Sequence, residues 1–339
     1  MDPALGGALL QFVLAAAVIV AAGTFLTRCA DAIADITQLG RLLVGSIFLA
    51  AATSLPELMV DVNAVRMGLT NLAVGDLMGS SLFNLLILAV LDLSFRSRGQ
   101  MFSRAAGAHA LSATMSISLT ALAAGGILLG QALAPFTVWG VSLSSWAILG
   151  AYVLGLRLVF YDQLLAARQQ LGPSPEVLVP AGRLSLPWAV LGYLGSAAVI
   201  VVAAPFLAEA AGELADLTGL GGTFVGTTLV ALCTSLPELV ASLTAIRMGA
   251  FDLALGNVFG SNAFNMVLLV PLDAVHAGPL MAAVSPTHAV TCLATILITS
   301  IAIMGQLYHA ERRIRFIEPD ALLIIILVLG ALGLVYYLG

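Results

Sequence analysis

The chain has 339 residues, of which 60% are hydrophobic and 9% are charged, and its formal net charge is −5. Soluble globular proteins carry about 25% charged residues, so this composition excludes a water-soluble enzyme, a nucleic-acid-binding protein and a disordered chain. Long apolar runs such as 12–22 and 322–335 indicate a polytopic membrane protein instead. Cys29, Cys233 and Cys292 are far apart in apolar stretches, which predicts packing residues and no disulfide or cofactor.

Ten stretches are long and apolar enough to cross a bilayer as helices. They lie near 6–27, 40–66, 71–94, 105–131, 134–157, 186–208, 221–246, 253–275, 285–308 and 319–338. The longest polar connection, 159–184, follows the fifth stretch and is too short to hold a soluble domain. The sequence therefore predicts an all-α integral membrane protein with ten transmembrane helices.

The arginines predict the orientation of these helices. When the connections are assigned alternately to the two sides, twelve of the 13 basic residues fall on one side and only Arg66 falls on the other. Basic residues are retained on the cytoplasmic side of a membrane. We therefore expect a multi-pass protein of the cell (plasma or inner) membrane with both termini extracytoplasmic.

The chain contains an internal repeat. Residues 50–92 recur at 231–273 with an offset of 181, and 21 of the 43 aligned positions are identical. The offset maps the first five helices onto the last five, and an odd number of spans in each copy inverts the second relative to the first. This predicts two inverted five-helix repeats, 1–158 and 185–339, joined by a cytoplasmic loop over 159–184. Inverted repeats are typical of secondary transporters, whose substrate site lies at the midplane between the halves.

Each repeat carries Thr-Ser-Leu-Pro-Glu in the middle of an apolar span, ending at Glu57 and Glu238. An ionised carboxylate at that depth costs at least about 2.5–3.5 kcal/mol on insertion scales. Pro56 and Pro237 have no N–H, so we expect the second and seventh helices to break at the midplane and free backbone carbonyls. A purely structural role for two protonated glutamates does not explain why the whole motif recurs.

The third and eighth helices supply the opposite wall of the predicted site. Ser80 and Asn84 are four residues apart and share one helix face, as do Ser261 and Asn265. The two halves together offer two carboxylates, hydroxyls, amides and carbonyls, an all-oxygen set that suits Ca²⁺, with Na⁺ as a second candidate. Glycines that permit close helix packing recur on these two helices, at Gly75, Gly79, Gly256 and Gly260.

These paired motifs resemble the calcium/cation antiporter superfamily, specifically its sodium/calcium exchanger family of prokaryotic type, over essentially the whole chain. The resemblance implies a transporter that exchanges cytoplasmic Ca²⁺ for external Na⁺ by alternating access, with the first and sixth helices moving. It implies that the protein lies in a lipid bilayer. It also implies that the protein is not an enzyme, has no cofactor, and binds neither nucleic acid nor an obligate protein partner. The ligands that it implies are Thr53, Ser54, Glu57, Ser80, Asn84, Thr234, Ser235, Glu238, Ser261 and Asn265, with the carbonyls of Ala50 and Ala231.

Two acidic residues depart from the pattern of that family or of the repeat. Asp76 stands where the family usually has Asn, while Asn265 stands where many exchangers have Asp. Asp76 shares a helix face with the site, so three interpretations stay open: a third metal-binding carboxylate, a proton acceptor, or a hydrogen bond to broken backbone. Asp61 is Ser242 in the other half, which favours an interfacial hydrogen-bonding residue over a residue of the ion path.

The alternative function is a proton-driven antiporter of Ca²⁺ or another divalent cation that uses the same carboxylates. Such exchangers usually carry a motif of Gly-Asn-Ala-Ala-Glu character, whereas this chain has Thr-Ser-Leu-Pro-Glu in both repeats. A channel or a non-transporting scaffold is the remaining interpretation.

Overall fold

The computed structural model describes residues 3–94, 106–169, 184–218, 232–308 and 319–338, and nearly all of these are helical. In chain order the longer helices are α1 (Pro3–Thr37), α2 (Arg41–Thr53), α3 (Leu55–Arg66), α4 (Thr70–Ser94), α5 (Ala106–Leu128), α7 (Leu143–Gln169), α8 (Leu186–Thr218), α9 (Leu236–Arg247), α10 (Phe251–Val275), α12 (Thr287–Tyr308) and α13 (Pro319–Leu338). Two short helices are α6 (Gly130–Leu133) and α11 (Leu280–Ala283).

Seven of these helices are long and apolar enough to cross a membrane: α1, α4, α5, α7, α8, α10 and α12. Helices α2 and α3 form an eighth candidate span that is bent by 40°. The predicted seventh span, 221–246, falls partly outside the described residues, and α13 contains a shorter apolar segment, Asp320–Val335. The described part of the chain therefore has seven or eight spanning helices, and ten remains a prediction.

Helices α4 and α10 form the centre of the bundle. In their most apolar stretches 78% and 83% of residues are buried, against 22% in α1 and 33% in α8. Helix α1 packs along α8, and both leave large apolar side chains such as Leu10 and Val202 exposed. Polar residues on α4 and α10 are thus held inside protein, whereas the outer helices present a surface suited to lipid.

Glycines bring α2 and α10 into close contact. A Cβ added at Gly256 would lie 2.6 Å from the Leu42 carbonyl oxygen, and one at Gly260 would lie 2.5 Å from the backbone of Ser46. The predicted close approach at these two positions is confirmed. A Cβ at Gly75 would instead meet the side chain of His288 at 3.3 Å. The crossing point on α2 is a π-helical segment, Val44–Leu49, an irregularity that often marks functional sites.

The repeated sequence adopts the same local structure in both copies. Helix α2 ends at Thr53 and α3 begins at Leu55, and in the second copy Ser235 is likewise the non-helical residue before α9. A proline occupies the first turn of α3 and of α9, so the predicted breaks are confirmed. Each of these helices is also followed, two residues after its last helical residue, by a glycine with positive φ, Gly68 at 78° and Gly249 at 74°. These are typical glycine caps, which accounts for the repeated Arg-Met-Gly sequence.

The segment before α7 differs from the prediction. A helix was expected over 134–157, but a two-stranded antiparallel hairpin of β1 (Thr137–Val138) and β2 (Val141–Ser142) precedes the helix. Its turn residues Trp139 and Gly140 both have positive φ, as a tight hairpin turn requires. Helix α7 then continues to Gln169, well into the connection predicted over 159–184.

Candidate functional site

The breaks before α3 and α9 place the two repeated glutamates in the protein interior. Glu57 and Glu238 each lie in the first turn after a break, and each is only 1% exposed. The Ser54 hydroxyl donates a hydrogen bond of 3.1 Å to Oε1 of Glu238, and the two carboxyl groups lie within electrostatic range of each other. The two copies of the motif therefore meet at their carboxylates.

Thr53 links the first break to α10. Its hydroxyl lies 3.3 Å from Oδ1 of Asn257 and 3.5 Å from the Ser261 hydroxyl. The same hydroxyl is 3.2 Å from the Ala50 carbonyl oxygen, which also accepts the Ser54 N–H at 3.0 Å. The expectation that the break leaves the Ala50 carbonyl free is wrong in this conformation, because the chain turns tightly enough to keep that bond. The other predicted carbonyl, that of Ala231, lies outside the described residues.

The amides predicted on α4 and α10 are both buried but differ in their partners. Asn84 donates from Nδ2 to Oδ1 of Asn262 at 2.9 Å, and Asn262 donates in turn to the Ser81 carbonyl at 3.1 Å. This chain of bonds fixes the Asn84 amide and leaves its Oδ1 without a partner in the described part of the chain. Asn265 has no hydrogen bond at either amide atom among the described residues.

Several buried oxygens in this region lack a hydrogen-bond partner among the described residues. They belong to Glu57, Asp61, Asp76, Ser80, Asn84, Ser235, Glu238 and Asn265. More than 90% of buried polar groups in proteins are paired, so a set of orphaned oxygens on neighbouring helices is unusual. Carboxylate, hydroxyl and amide oxygens are the ligands that hard cations take.

No three Asp, Glu, His or Cys side chains of the described residues are grouped closely enough to hold a metal ion by themselves. Neutral oxygens such as those of Ser80 and Asn84 are available to a cation between α3, α4, α9 and α10. The predicted composition of the site, two carboxylates among hydroxyls and amides, stays a prediction.

Asp76 and Asp61 lie beside each other on α4 and α3. Asp76 also lies beside the Thr234 hydroxyl, and Glu57 lies within electrostatic range of both aspartates. Asp61 is 1% exposed and lies beside Asp76, and its predicted interfacial hydrogen-bonding role stays a prediction. A hydrogen bond from Asp76 to broken backbone is not observed in the described part of the chain.

Three polar residues of the site were not singled out from the sequence. Asn257 donates to Ser242 at 3.1 Å and to the Glu238 carbonyl at 3.4 Å, and Asn262 holds Asn84. The repeat offset was the signal that points to Asn257 and Ser242, because it pairs them with Asp76 and Asp61. No comparable signal marks Asn262, since its repeat partner is Ser81.

Comparisons with known proteins identify the family of this chain. The model of the family described as "Sodium/calcium exchanger protein" matches residues 7–147 and 188–338. A candidate antiporter, CaxA of Alkalimonas amylolytica, is 29% identical over 308 residues, which cover 87% of this chain and 88% of that protein. The sodium/calcium exchanger MaX1 of Methanosarcina acetivorans is 47% identical over 78 residues, 23% of this chain and 22% of that protein.

Solved structures share the fold. The sodium-calcium exchanger NCX_Mj soaked with 2.5 mM Na⁺ and 1 mM Sr²⁺ superimposes with a TM-score of 0.71. The match covers 98% of this chain and 99% of that chain at 19% sequence identity. At this identity the likeness shows the fold alone.

Proposed function

This chain belongs to the sodium/calcium exchanger family, and we propose that it expels Ca²⁺ from the cytoplasm in exchange for external Na⁺. As a member of that family it is a multi-pass membrane cation antiporter and not an enzyme. We propose three things beyond membership of the family: the direction of exchange, the use of Na⁺, and a single site that both ions share.

The observation that carries the proposal is the meeting of the two repeated motifs at Glu57 and Glu238. Ser54 of the first motif donates to Glu238 of the second, and each glutamate keeps an orphaned Oε2. Burying such carboxylates without a partner is unfavourable, so a cation that binds both offsets the cost. One ion bound by both halves is also what alternating access requires, because a relative movement of the halves then changes the side from which the ion is reached.

The chemistry of the ligands supports competition between Ca²⁺ and Na⁺. The two glutamates neutralise one Ca²⁺, and Ca²⁺ accepts six to eight oxygens in flexible geometry. The orphaned oxygens of Ser80, Asn84 and Asn265 extend the shell beyond the carboxylates. MaX1 and NCX_Mj are both named as sodium/calcium exchangers, which supports the same pair of substrates here.

We propose the architecture that the sequence predicts: two inverted five-helix repeats, 1–158 and 185–339, with a cytoplasmic connection and both termini extracytoplasmic. The identical breaks and glycine caps of α3 and α9 support a structural duplication. Under this proposal the breaks lie at the midplane and the protein resides in the cell membrane. Of the remaining predicted ligands, Ser235 belongs to the second break, and Ala231, outside the described residues, stays a prediction.

Helices α1 and α8 are the proposed moving pair. They pack along each other, and their apolar stretches are the outer ones, with 22% and 33% of residues buried. Tyr193 of α8 donates to the Phe48 carbonyl in the π-helical segment of α2. Movement of this pair therefore reaches the first break without disturbing the packed centre of α4 and α10.

Everted membrane vesicles test the proposal. With Na⁺ inside and labelled Ca²⁺ outside, an outward Na⁺ gradient should drive Ca²⁺ uptake that stops when the gradient is collapsed. Glu57→Gln and Glu238→Gln should each abolish uptake, whereas Glu213→Gln, which removes an exposed carboxylate of α8, should not. Uptake that survives in either site variant contradicts the assigned roles.

A second candidate is an antiporter driven by protons, which the Asp61–Asp76 contact favours because neighbouring buried carboxyl groups can share a proton. Replacing the Na⁺ gradient with a pH gradient in the same vesicles separates the two. Uptake driven only by the pH gradient would establish the second candidate in place of the first.

A further inference from the structure

The Asp61–Asp76 pair is a second concentration of buried negative charge beside Glu57 and Glu238. Asp61 is 1% exposed and Asp76 is 4% exposed, and none of their four carboxyl oxygens makes a hydrogen bond of normal geometry with a described residue. The ion pairs of the described residues all involve Arg41 or His109 and lie elsewhere. Nothing described in the protein therefore balances this pair.

The equivalent place in the other half is neutral and hydrogen-bonded. The offset of 181 pairs Asp61 with Ser242 and Asp76 with Asn257. Asn257 donates to the Ser242 hydroxyl at 3.1 Å, and the Thr53 hydroxyl lies 3.3 Å from Asn257 Oδ1. The fold thus accepts Ser and Asn in this environment, so the two aspartates are not needed for packing.

The surroundings of the pair supply further oxygens. The Ser80 hydroxyl is fully buried without a partner in the described chain, and it lies one turn from Asp76 on the same face of α4. Glu57, which has an orphaned Oε2, interacts electrostatically with both aspartates, and the Thr234 hydroxyl lies beside Asp76. Two carboxylates and two hydroxyls, the oxygen donors that hard cations take, thus lie in one neighbourhood, and Glu57 connects them with the central site.

We propose that Asp61, Asp76, Ser80 and Thr234 form an additional Na⁺ subsite next to the Glu57–Glu238 site, with both of its carboxylates supplied by the first half of the protein. The proposal rests on the proposed sodium/calcium exchange. Exchange of one Ca²⁺ for more than two Na⁺ places more positive charge in the protein than two glutamates neutralise, and the aspartates balance the surplus. Because this surplus positive charge is that of Na⁺, we assign Na⁺ as the occupant.

The double variant Asp61→Ser/Asp76→Asn tests the subsite, because it gives the first half the residues that the second half already holds. In everted vesicles we expect it to retain Ca²⁺ uptake at high Na⁺. The Na⁺ concentration for half-maximal uptake should rise about tenfold, the usual size of effect around metal sites. The ratio of labelled Na⁺ released to labelled Ca²⁺ taken up should fall by about one. Glu213→Gln, with its exposed carboxylate, is the matched control and should behave as the parent chain.

Two results would overturn the subsite while leaving sodium/calcium exchange intact. The first is a double variant with unchanged Na⁺ dependence and an unchanged ratio. The second is a variant in which only the pH dependence of uptake changes, because the pair then holds a proton. Failure of the parent chain to couple Na⁺ to Ca²⁺ at all would instead contradict the proposed function. If the double variant is not recovered folded, Asp61→Ser alone carries the same expectation, and Na⁺-dependent thermal stabilisation of the purified protein gives a second readout.

Discussion

Two regions of the molecule bury carboxylates in opposite ways. Asp273, at the end of α10, is fully buried and accepts four hydrogen bonds: three from the N–H and hydroxyl of Ser142 and the hydroxyl of Ser145 at 2.5–2.7 Å, and one from the Leu280 N–H at 2.7 Å. Glu57 and Glu238 are equally buried, yet their Oε2 atoms have no described donor.

The difference separates structural from functional acids. A buried carboxylate that is saturated with donors is stabilised by the fold itself, and Asp273 joins the β hairpin and the Leu280 turn to α10. A buried carboxylate that lacks donors depends on something outside the fold. Burial alone, or recurrence in the repeat, does not distinguish the two classes, because Asp273 also recurs as Asp92.

The largest expected effect is the loss of transport in Glu57→Gln or Glu238→Gln. The amide keeps the shape but removes a charged ligand, so gradient-driven Ca²⁺ uptake should fall about 100-fold, equivalent to about 2.8 kcal/mol of binding. Thermal unfolding of the purified variants should be unchanged or shifted upward, because an uncompensated buried charge is removed. If a glutamate variant lost transport only because it unfolds, its glutamate would behave as a structural acid, and the contrast with Asp273 would be lost.

The same carboxyl-to-amide change at Asp273 should act on stability instead. In Asp273→Asn the amide nitrogen faces donors that previously met an oxygen, which costs about 3 kcal/mol. The thermal midpoint should fall, while Ca²⁺ uptake per folded molecule should be preserved. Loss of uptake without loss of stability would place Asp273 among the functional acids and break the distinction.

A smaller effect is expected where α2 crosses α10. Gly260→Ala places a Cβ about 2.5 Å from the Ser46 backbone, and such overpacking typically costs about 1–3 kcal/mol. Because Ser261 is adjacent, Ca²⁺ affinity should fall as well. Gly150→Ala is the matched control, since a Cβ there meets nothing within 4 Å, and it should leave both properties unchanged.

The smallest effect is expected at Asn262, which orients Asn84 and does not itself belong to the predicted ligand set. Asn262→Ser, the residue found at the equivalent position 81, removes the 2.9 Å bond to Asn84. Because the Asn84 amide is then no longer held in one orientation, the Ca²⁺ concentration for half-maximal uptake should rise about tenfold. The maximal rate of uptake should be preserved. A change in the maximal rate alone would indicate that Asn262 acts on the movement of the helices.

The features that could be predicted from the sequence are those determined by local chemistry. Pro56 and Pro237 have no N–H, and both helices break beside them. Apolar runs end at polar or glycine residues, so the predicted spans 71–94, 285–308 and 319–338 agree with α4, α12 and α13 to within two residues. The repeat also identified the two glutamates before any fold was known.

The features that were missed depend on contacts between distant segments. The hairpin at 137–142 is held by hydrogen bonds to Asp273, which is more than a hundred residues away in the sequence. The apolar run 134–157 gives no indication of that contact. The closeness of Asp61 to Asp76 likewise depends on the packing of α3 on α4, which the sequence does not reveal. The error at the Ala50 carbonyl was local instead: its partner is the N–H of Ser54, four residues further on, whereas the N–H that Pro56 lacks would have paired with the carbonyl of Ala52.

The most direct test of the central claim is equilibrium binding of labelled Ca²⁺ to the purified protein, measured for Glu57→Gln, Glu238→Gln and the double variant. If one ion is held by both halves, the parent chain should bind Ca²⁺ and each single variant should have lost that binding. The Glu57→Gln/Glu238→Gln double variant should then bind no less Ca²⁺ than either single variant. Two independent Ca²⁺ ions, with each single variant losing only its own, would contradict the claim.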